Sequence, residues 1–182
     1  MSKTPMELNA VPPLLIMGVA GSGKTTCGRR LSEILGIKFI DADDFHSSDN
    51  IVRMSQGIPL GDKQRWPWLE RIVEALLIHR KGEGPILACS ALKEMYRNYL
   101  RAAVPQLKII YLRAEPYLVE RRIRNRLVSA ISPLLIDSQF TDLEIPEDAI
   151  EIDASIDVEL ATLQILRELN LKPNKCWQRP PT

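Results

Sequence analysis

The length, composition and charge of the chain indicate a single soluble domain. Its 182 residues are 45% hydrophobic and 26% charged, which is typical of one globular domain. The formal net charge of +1 gives no general attraction for nucleic acid or an anionic membrane surface, and no apolar run approaches the roughly 20 residues that span a bilayer. We therefore expect no nucleic acid and no membrane partner. The chain also begins without the apolar core of a signal peptide, so the expected location is the cytoplasm.

Strand-like and helix-like segments alternate along the chain. Residues 1–12 are polar and end in Val-Pro-Pro, which predicts a flexible arm ahead of the domain. Behind the arm, short apolar runs alternate with stretches whose apolar residues recur at helical spacing. The predicted elements are, in chain order, a strand at 13–17, a helix at 23–35, a strand at 37–40, helices at 48–56 and 64–80, a strand at 85–89, a helix at 91–102, a strand at 107–112, a helix at 116–127, a strand at 149–152 and a helix at 158–169. The proline-rich residues 172–182 predict a flexible tail.

This alternation predicts the fold class. Repeated strand-helix units favour a parallel sheet with helices on both faces. We therefore expect an α/β fold, a three-layer sandwich with a five-stranded parallel sheet, formed by a single domain at 13–171. In such sheets ligands bind beyond the carboxyl ends of the strands, so the residues that follow each strand are the first candidates for a functional site.

The turn between the first strand and the first helix carries the most specific motif. Residues 18–25 read Gly-Val-Ala-Gly-Ser-Gly-Lys-Thr and match the phosphate-binding pattern G-x-x-x-x-G-K-[ST] in its strand-to-helix context. The glycines let the backbone direct N–H groups at phosphate oxygens, Lys24 adds a mobile charge for the phosphates, and Thr25 can place its hydroxyl on Mg²⁺. The motif predicts a bound nucleoside triphosphate, since a glycine-rich turn that merely joins two elements would not need all eight positions to match. The predicted contacts are Gly18, Val19, Ala20, Gly21, Ser22, Gly23, Lys24, Thr25 and Thr26.

Two carboxylates follow the second predicted strand. Asp41 and Asp43 lie two residues apart, and the period of an extended chain turns both to the same side. One carboxylate can serve a hydrated Mg²⁺, and the other can accept the proton of an attacking hydroxyl group, as phosphoryl transfer requires. The alternative is a turn whose aspartates cap the next helix, which we favour for Asp44 and leave open for Asp43.

Basic residues follow the third and fourth predicted strands. Lys93 and Arg97 lie four residues apart and should share one helix face, which suits an anionic substrate, although a solvated basic face is the alternative. The helix behind the fourth strand carries Arg121, Arg122, Arg124 and Arg126. Arg122 and Arg126 share a face and suit a lid that folds over transferring phosphates; an ordinary charged helix is the alternative.

Several longer motifs occur in order over most of residues 13–153. They are Met-Gly-Val-Ala-Gly-Ser-Gly-Lys-Thr at 17–25, Asp-Ala-Asp-Asp-Phe-His at 41–46, Asn-Ile-Val-Arg-Met at 50–54, Gly-Ile-Pro-Leu-Gly-Asp at 57–62, Arg-Trp-Pro-Trp-Leu at 65–69, Cys-Ser-Ala-Leu-Lys at 89–93 with Tyr-Arg at 96–97, and Ser-Gln-Phe-Thr-Asp-Leu-Glu-Ile-Pro at 138–146. In this combination the chain resembles the gluconokinases of the thermoresistant type, small P-loop kinases related to shikimate kinase and nucleoside monophosphate kinases. The resemblance is specific, because the motifs at 41–46 and 89–97 are not general features of P-loop proteins.

The resemblance implies a P-loop kinase-like fold with a mobile lid at about 122–138. It also implies ATP-dependent, Mg²⁺-assisted phosphorylation of D-gluconate at its 6-hydroxyl group, giving 6-phosphogluconate, and a possible homodimer. Carried over to this chain, Lys24, Asp43, Arg122 and Arg126 would be catalytic, Thr25 and Asp41 would serve the metal, and Asp43, His46, Arg53, Lys93 and Arg97 would bind the sugar acid. Arg97 is the first choice for the substrate carboxylate, because a guanidinium group can bind it in bidentate fashion. Arg65 is a weaker candidate, since its alternative role is simply to begin the helix at 64–80.

One part of the lid departs from the family pattern. The family usually carries a Gly-His-Phe element at the positions of Val128, Ser129 and Ala130. The lid therefore lacks its expected glycine and aromatic residue, and lid closure excludes water and completes the site. Two further hypotheses therefore accompany an active gluconokinase. One is a kinase for another acidic acceptor, such as shikimate or a related sugar acid. The other is a nucleotide-binding pseudokinase, which the presence of Asp43, Lys93 and Arg97 disfavours.

Overall fold

The computed structural model describes residues 11–79, 84–125, 135–174 and 177, and these residues form a parallel sheet covered by helices. The strands are β1 (Leu14–Met17), β2 (Phe39–Asp41), β3 (Ile86–Ala88), β4 (Lys108–Arg113) and β5 (Ile150–Asp153). Their order across the sheet is β2-β3-β1-β4-β5, and every pairing is parallel. The predicted α/β fold with a five-stranded parallel sheet is confirmed.

Helices cover both faces of this sheet. They are α1 (Lys24–Leu35), α2 (Ser48–Ser55), α3 (Asp62–Ile78), α4 (Glu94–Ala103), α5 (Pro116–Arg124), α6 (Ile136–Asp142) and α7 (Val158–Glu168), with a 3-10 turn at Ala42–Phe45. Alternate side chains of β1 point to opposite faces. Leu14 and Ile16 join a core with α1 and α7, whereas Leu15 and Met17 join a core with α3 and α4. No helix in the described part of the chain is long and apolar enough to cross a bilayer.

The largest difference from the predicted boundaries concerns α4. The helix that we expected from residue 91 begins at Glu94. Ala91 has a left-handed φ of 40°, and Lys93 is extended with φ −87° and ψ 145°, so neither residue is helical. The 3-10 turn and α6 lie outside the predicted elements; α6 has only seven residues, too few for an apolar period to show.

The described ends of the chain pack against the domain. Val11 is 8% exposed, and its carbonyl oxygen accepts a hydrogen bond from the Gly84 N–H at 2.9 Å. At the other end, the Asn174 N–H donates to the Ile34 carbonyl oxygen at 2.8 Å. The flexible arm expected at 1–12 and the tail expected at 172–182 therefore reach less far than we expected, and their remaining residues, except residue 177, lie outside the described ones.

The carboxyl ends of the strands meet at one edge of the sheet because all the strands run parallel. Gly18 follows β1, the 3-10 turn follows β2, Ser90 lies two positions after β3, and Ala154 follows β5. This edge is where α/β sheets bind ligands.

Candidate active site

The phosphate-binding loop, residues 18–25, has the backbone geometry that its glycines predict. Gly18, Gly21 and Gly23 have φ values of 144°, 76° and 104°, which side chains other than glycine disfavour. A Cβ at Gly18 would also lie 2.8 Å from the carbonyl oxygen of Leu112. Since the loop leads directly into α1, its N–H groups and the positive end of the helix dipole suit bound phosphate.

Helix α5 holds this loop through Arg122. The guanidinium group donates to the carbonyl oxygens of Gly21 and Ser22 at 3.2 and 3.1 Å. It also donates to the Ala154 carbonyl oxygen at 2.7 Å, so Arg122 joins the loop to the turn after β5. We expected Arg122 and Arg126 to act on transferring phosphates. In the structure Arg122 contacts backbone carbonyls beside the phosphate-binding loop, so its action on phosphates stays a prediction; Arg126 lies outside the described residues.

A cavity of about 490 Å³ lies beside Arg122. Its wall includes loop residues, Thr26 of α1, Asn125 behind α5, and the apolar side chains of Leu112, Ile156 and Val158. Its volume is within the range of small-molecule sites. Because an apolar wall stands next to the phosphate-binding loop, this cavity suits the nucleoside part of a nucleotide.

A second, smaller cavity adjoins the loop at Ala20 and Lys24, and we call it the acceptor cavity. Its polar wall includes Lys24, Asp43, His46, Arg65, Ser90 and Gln139. The structure therefore brings together the predicted site residues Ala20, Lys24, Asp43 and His46 with the weaker candidate Arg65. The loop borders both cavities, which is the arrangement that transfer of a phosphoryl group from one ligand to another requires.

The carboxylate of Asp41 connects the loop to the end of β2. Its Oδ2 accepts a hydrogen bond from the Thr25 hydroxyl group at 2.9 Å, and its Oδ1 accepts one from the Asp43 N–H at 3.2 Å. A hydroxyl oxygen and a carboxylate side by side are ligands that Mg²⁺ accepts. No group of three or more His, Cys, Asp or Glu side chains that could hold a metal occurs within residues 11–79, 84–125 and 135–174, so a metal here would also need oxygens from water or substrate.

Asp43 is part of the wall of the acceptor cavity. The surrounding protein removes water from this carboxylate and thereby raises its pKa above the ordinary value; Lys24 opposes this effect, while Asp41 adds to it. A carboxylate with a raised pKa is a better proton acceptor than an ordinary aspartate. Asp43 therefore has the environment of a general base.

His46 is neutral in this site. Its ring stacks on Trp68 with centroids 4.5 Å apart and planes at 7°. Burial, and after it the nearby charges of Arg65 and Arg71, lower the pKa of His46 to about 4. The Asn50 side-chain nitrogen donates to a carbonyl oxygen at 3.2 Å and lies 3.5 Å from His46 Nδ1, so Nδ1 is an acceptor and Nε2 carries the proton.

The lowered pKa of His46 predicts a loss of stability at acid pH. In the unfolded chain His46 becomes protonated below about pH 6.5, whereas in the folded chain it stays neutral down to about pH 4. The free energy of unfolding should therefore fall by on the order of 3 kcal/mol as the pH falls from 6.5 to 4. His46→Phe should keep the stacking on Trp68 and lose this dependence. Urea unfolding at pH 7.5 and pH 4.5 measures the difference between the two proteins; equal losses would contradict the assignment to His46.

Arg65 is a nearly buried cation at the wall of the acceptor cavity. It is 9% exposed and lies in the first turns of α3. Its Nε donates to the Leu60 carbonyl oxygen at 3.1 Å, and its Nη2 lies 3.9 Å from Asp142, which is too long for a hydrogen bond. Within the described residues, the two terminal nitrogens make no other hydrogen bond. Arg65 therefore places a positive charge at the cavity wall, paired loosely with Asp142 and lying over the ring of Tyr96.

Lys93 and Arg53 do not line the acceptor cavity. Lys93 Nζ lies 2.8 Å from Asp62 and 3.8 Å from Asp142, and the bond to Asp62 raises the pKa of Lys93. Arg53 is exposed on α2, although its neighbour Met54 reaches the cavity. Lys93 is therefore paired with carboxylates, and the predicted contacts of Lys93 and Arg53 with the substrate stay predictions.

The structure places Arg97 differently from the expectation. Arg97 is 1% exposed and is not part of the cavity wall. Its Nη1 donates to the carbonyl oxygens of Ala91 and Leu92 at 3.1 and 2.8 Å. The left-handed turn at Ala91 directs these carbonyls at the first turn of α4. A guanidinium group committed to them does not reach a substrate carboxylate.

Replacing Arg97 should therefore affect stability more than substrate binding. Arg97→Met fills a similar volume but leaves the buried Ala91 carbonyl oxygen without its donor, while the Leu92 oxygen keeps the Glu144 N–H; the free energy of unfolding should fall by about 1–3 kcal/mol. The KM for the acidic substrate should stay within about twofold of the wild-type value, because the guanidinium group does not touch the cavity. Urea unfolding and steady-state kinetics check the two parts; normal stability with a greatly raised KM would return Arg97 to the substrate site.

Comparison with known proteins agrees with this geometry. A family model described as shikimate kinase matches residues 20–144. A protein of Escherichia coli K12 named thermosensitive gluconokinase is 39% identical over 155 residues, which are 82% of this chain and 83% of that protein. The chain belongs to the gluconokinase family. The family membership expected from the sequence motifs is thereby confirmed. Membership of a kinase family implies ATP as the phosphoryl donor.

Two solved structures are similar to this gluconokinase chain along most of its length. A gluconokinase from Sinorhizobium meliloti 1021 is 33% identical, with a TM-score of 0.78 over 87% of this chain and 91% of its own. A sugar kinase from Janibacter sp. HTCC2649 is 34% identical, with a TM-score of 0.81 over 88% of this chain and 95% of its own. The similarity extends over most of the elements that carry the loop and the two cavities.

Two residues of this gluconokinase site, Arg65 and Gln139, were not clearly indicated by the sequence. Arg65 is a weaker candidate for substrate binding there, because it stands at the start of a predicted helix, where a charge often has no function. Gln139 is not among the predicted site residues, although it belongs to the Ser-Gln-Phe motif at 138–140 on which the resemblance partly rests. The Ser-Gln-Phe motif is therefore the feature of the sequence that could have indicated Gln139 as a site residue.

Proposed function

We propose that this protein is an active gluconokinase, which transfers the γ-phosphoryl group of ATP to the 6-hydroxyl group of D-gluconate. The observation that carries the proposal is the acceptor cavity, where the base Asp43 and the cation Arg65 line one space beside the phosphate-binding loop. The reaction breaks the bond between the γ-phosphorus and its bridging oxygen and forms a bond from that phosphorus to O6. The O6 proton passes to Asp43, and ADP leaves.

The residues around the loop fit Mg²⁺, and we include the ion in the proposal. Thr25 and Asp41 would hold it, either directly or through water, since their oxygens lie 2.9 Å apart and suit a hard cation. When bound, Mg²⁺ neutralises phosphate charge. Lys24, whose Nζ donates to the Val19 carbonyl oxygen at 2.9 Å, would supply further positive charge to the phosphate oxygens from the first turn of α1.

Arg65 is our proposed anchor for the carboxylate of gluconate. Planar guanidinium groups bind carboxylates through two parallel hydrogen bonds, and Arg65 is part of the cavity wall. With the carboxylate held by Arg65 and a hydroxyl group held near Asp43, the substrate would be fixed at both ends. Such fixing is the main contribution that a protein makes to phosphoryl transfer.

A second candidate function is phosphorylation of another small hydroxy acid. The match of residues 20–144 to the shikimate kinase model favours it, because a cation and a base on one cavity serve any hydroxy acid of suitable size. Val128, Ser129 and Ala130, where the chain departs from the family pattern, lie outside the described residues.

A coupled assay of ADP release tests both candidates. The assay offers ATP and Mg²⁺ with gluconate, idonate, shikimate or water as acceptor, and a parallel series contains EDTA. We expect turnover with gluconate that depends on Mg²⁺ and greatly exceeds turnover with the other acceptors. A preference for shikimate would support the second candidate, and no turnover with any acceptor would overturn both.

The proposal extends to assembly and location. We propose a homodimer in the cytoplasm, supported by the resemblance to gluconokinases. Light scattering coupled to size exclusion would report the mass of the particle against the 20.6 kDa of one chain.

A further inference from the structure

The side chain of Gln139 joins α6 to the phosphate-binding loop. Its Oε1 accepts a hydrogen bond from the backbone N–H of Ala20 at 2.6 Å, between residues 119 positions apart in the sequence. Ala20 is 7% exposed, and a buried N–H group without a partner is costly. The loop is therefore held from two helices, by Arg122 of α5 on its carbonyl groups and by Gln139 of α6 on an amide.

This bond determines which way the carboxamide of Gln139 faces. A backbone N–H group can only donate, so the side chain must present its oxygen to Ala20, and its NH₂ group lies on the other branch. Within the described residues, no hydrogen bond from this NH₂ group is seen, and Gln139 is half-buried. Because the residue lines the acceptor cavity with Lys24 and Asp43, two N–H donors are available to an oxygen atom there.

The surroundings favour an oxygen of the acceptor as the partner of these donors. The cavity wall contains the base Asp43 and the cation Arg65, the groups that a hydroxy acid would engage. An uncharged donor on the same wall suits a hydroxyl group, which a cation or a carboxylate would bind less selectively.

We propose that Gln139 is a substrate-contacting residue whose Oε1 fixes the Ala20 amide and whose NH₂ group donates to a hydroxyl oxygen of the bound sugar acid. This inference rests on the proposed function. It makes one side chain responsible for both the position of the loop and the position of the acceptor, so the two reacting partners are placed relative to each other.

Two substitutions separate these roles. Gln139→Glu keeps an oxygen that accepts from Ala20 but replaces the donor with a negative charge beside Asp43. Gln139→Met has a similar size and removes both groups. Gln106→Glu is the matched control, since Gln106 is exposed in the turn before β4, at the opposite edge of the sheet.

The readouts are the melting temperature, the KM for gluconate, kcat, and the dissociation constant of ATP measured without an acceptor. Gln139→Glu should melt like the wild type yet raise the KM for gluconate by about 10- to 100-fold. Gln139→Met should melt at a lower temperature and raise the same KM by about tenfold, with ATP affinity within about threefold of the wild-type value. The control should match the wild type throughout.

Two outcomes would overturn the inference. Wild-type kinetics in Gln139→Glu would show that only the bond to Ala20 matters, which is a structural role. Weaker ATP binding in Gln139→Met with an unchanged KM for gluconate would place the NH₂ group on phosphate instead. A wild-type protein without gluconate turnover would refute the proposed function itself, and this result is obtained before any variant is assayed.

Discussion

Replacing Asp43 with asparagine should lower kcat for gluconate by roughly 10²- to 10⁴-fold, the usual contribution of a general base. Asparagine keeps the shape of the side chain but does not accept the proton that leaves O6 when the oxygen attacks phosphorus. The dissociation constant of ATP should change little, because the structure uses Asp41, not Asp43, to contact Thr25 beside the loop. Steady-state kinetics together with calorimetric titration of ATP measure both quantities.

The neighbouring Asp44 supplies a matched control. It carries the same charge one residue away, is exposed and is not part of the cavity wall, so Asp44→Asn should keep kcat. The pH profile gives a second readout: the carboxylate of Asp43 must be ionised to accept a proton, so kcat/KM, which reports the free enzyme, should fall as the pH falls through its pKa, which lies above the ordinary value of 3.8. Full turnover in Asp43→Asn would remove Asp43 from the mechanism.

The sequence is most informative where function depends on neighbours in the chain. The loop at 18–25 has the φ values that its glycines require, because a tight turn is decided by a few adjacent residues. Asp41 and Asp43 are also local, although Asp41 ends β2 and Asp43 lies in the 3-10 turn that Asp41 caps, so a short turn and not an extended chain sets their positions. Both parts of the site can therefore be placed from the order of the residues alone.

Arg97 shows where such reasoning fails. Its assignment assumes a helix from residue 91, which would put Lys93 and Arg97 on one face. The helix begins only at Glu94, with Lys93 as its N-cap, and Arg97 lies with Tyr96 and Leu100 on the buried face of α4. Which face of a helix packs on the sheet depends on the tertiary structure, and the four-residue spacing of two cations does not indicate it.

Gln139 could not be placed for a different reason. Its partner Ala20 lies 119 positions away, so the contact depends on how α6 packs against the loop. Seven polar and apolar residues in α6 show no period from which that packing could be predicted. Motif resemblance indicates that the segment matters without indicating what it touches.

Replacing Arg65 with glutamine should raise the KM for gluconate by roughly 100-fold, because the loss of a partly desolvated, charge-assisted contact costs about 3 kcal/mol. Glutamine removes the charge and the fork but can still donate to the Leu60 carbonyl oxygen that now holds Nε. Lys63→Gln is the control, since Lys63 is exposed in the same helical turn and loses the same charge. Kinetics with varied gluconate at saturating ATP measure the effect, and melting temperatures exclude unfolding as its cause.

A substrate without a carboxylate makes the Arg65 test specific. D-glucitol has the chain length and hydroxyl groups of gluconate but no charge, so wild-type protein should discriminate against it strongly in kcat/KM. If Arg65 binds the carboxylate, Arg65→Gln should lose activity with gluconate and change little with D-glucitol, so that the ratio between the two substrates falls by the same factor of roughly 100. An equal loss with both substrates would mean that Arg65 shapes the cavity through its contacts with Leu60 and Tyr96 rather than binding the acid, because only a direct contact responds to the group that the second substrate lacks.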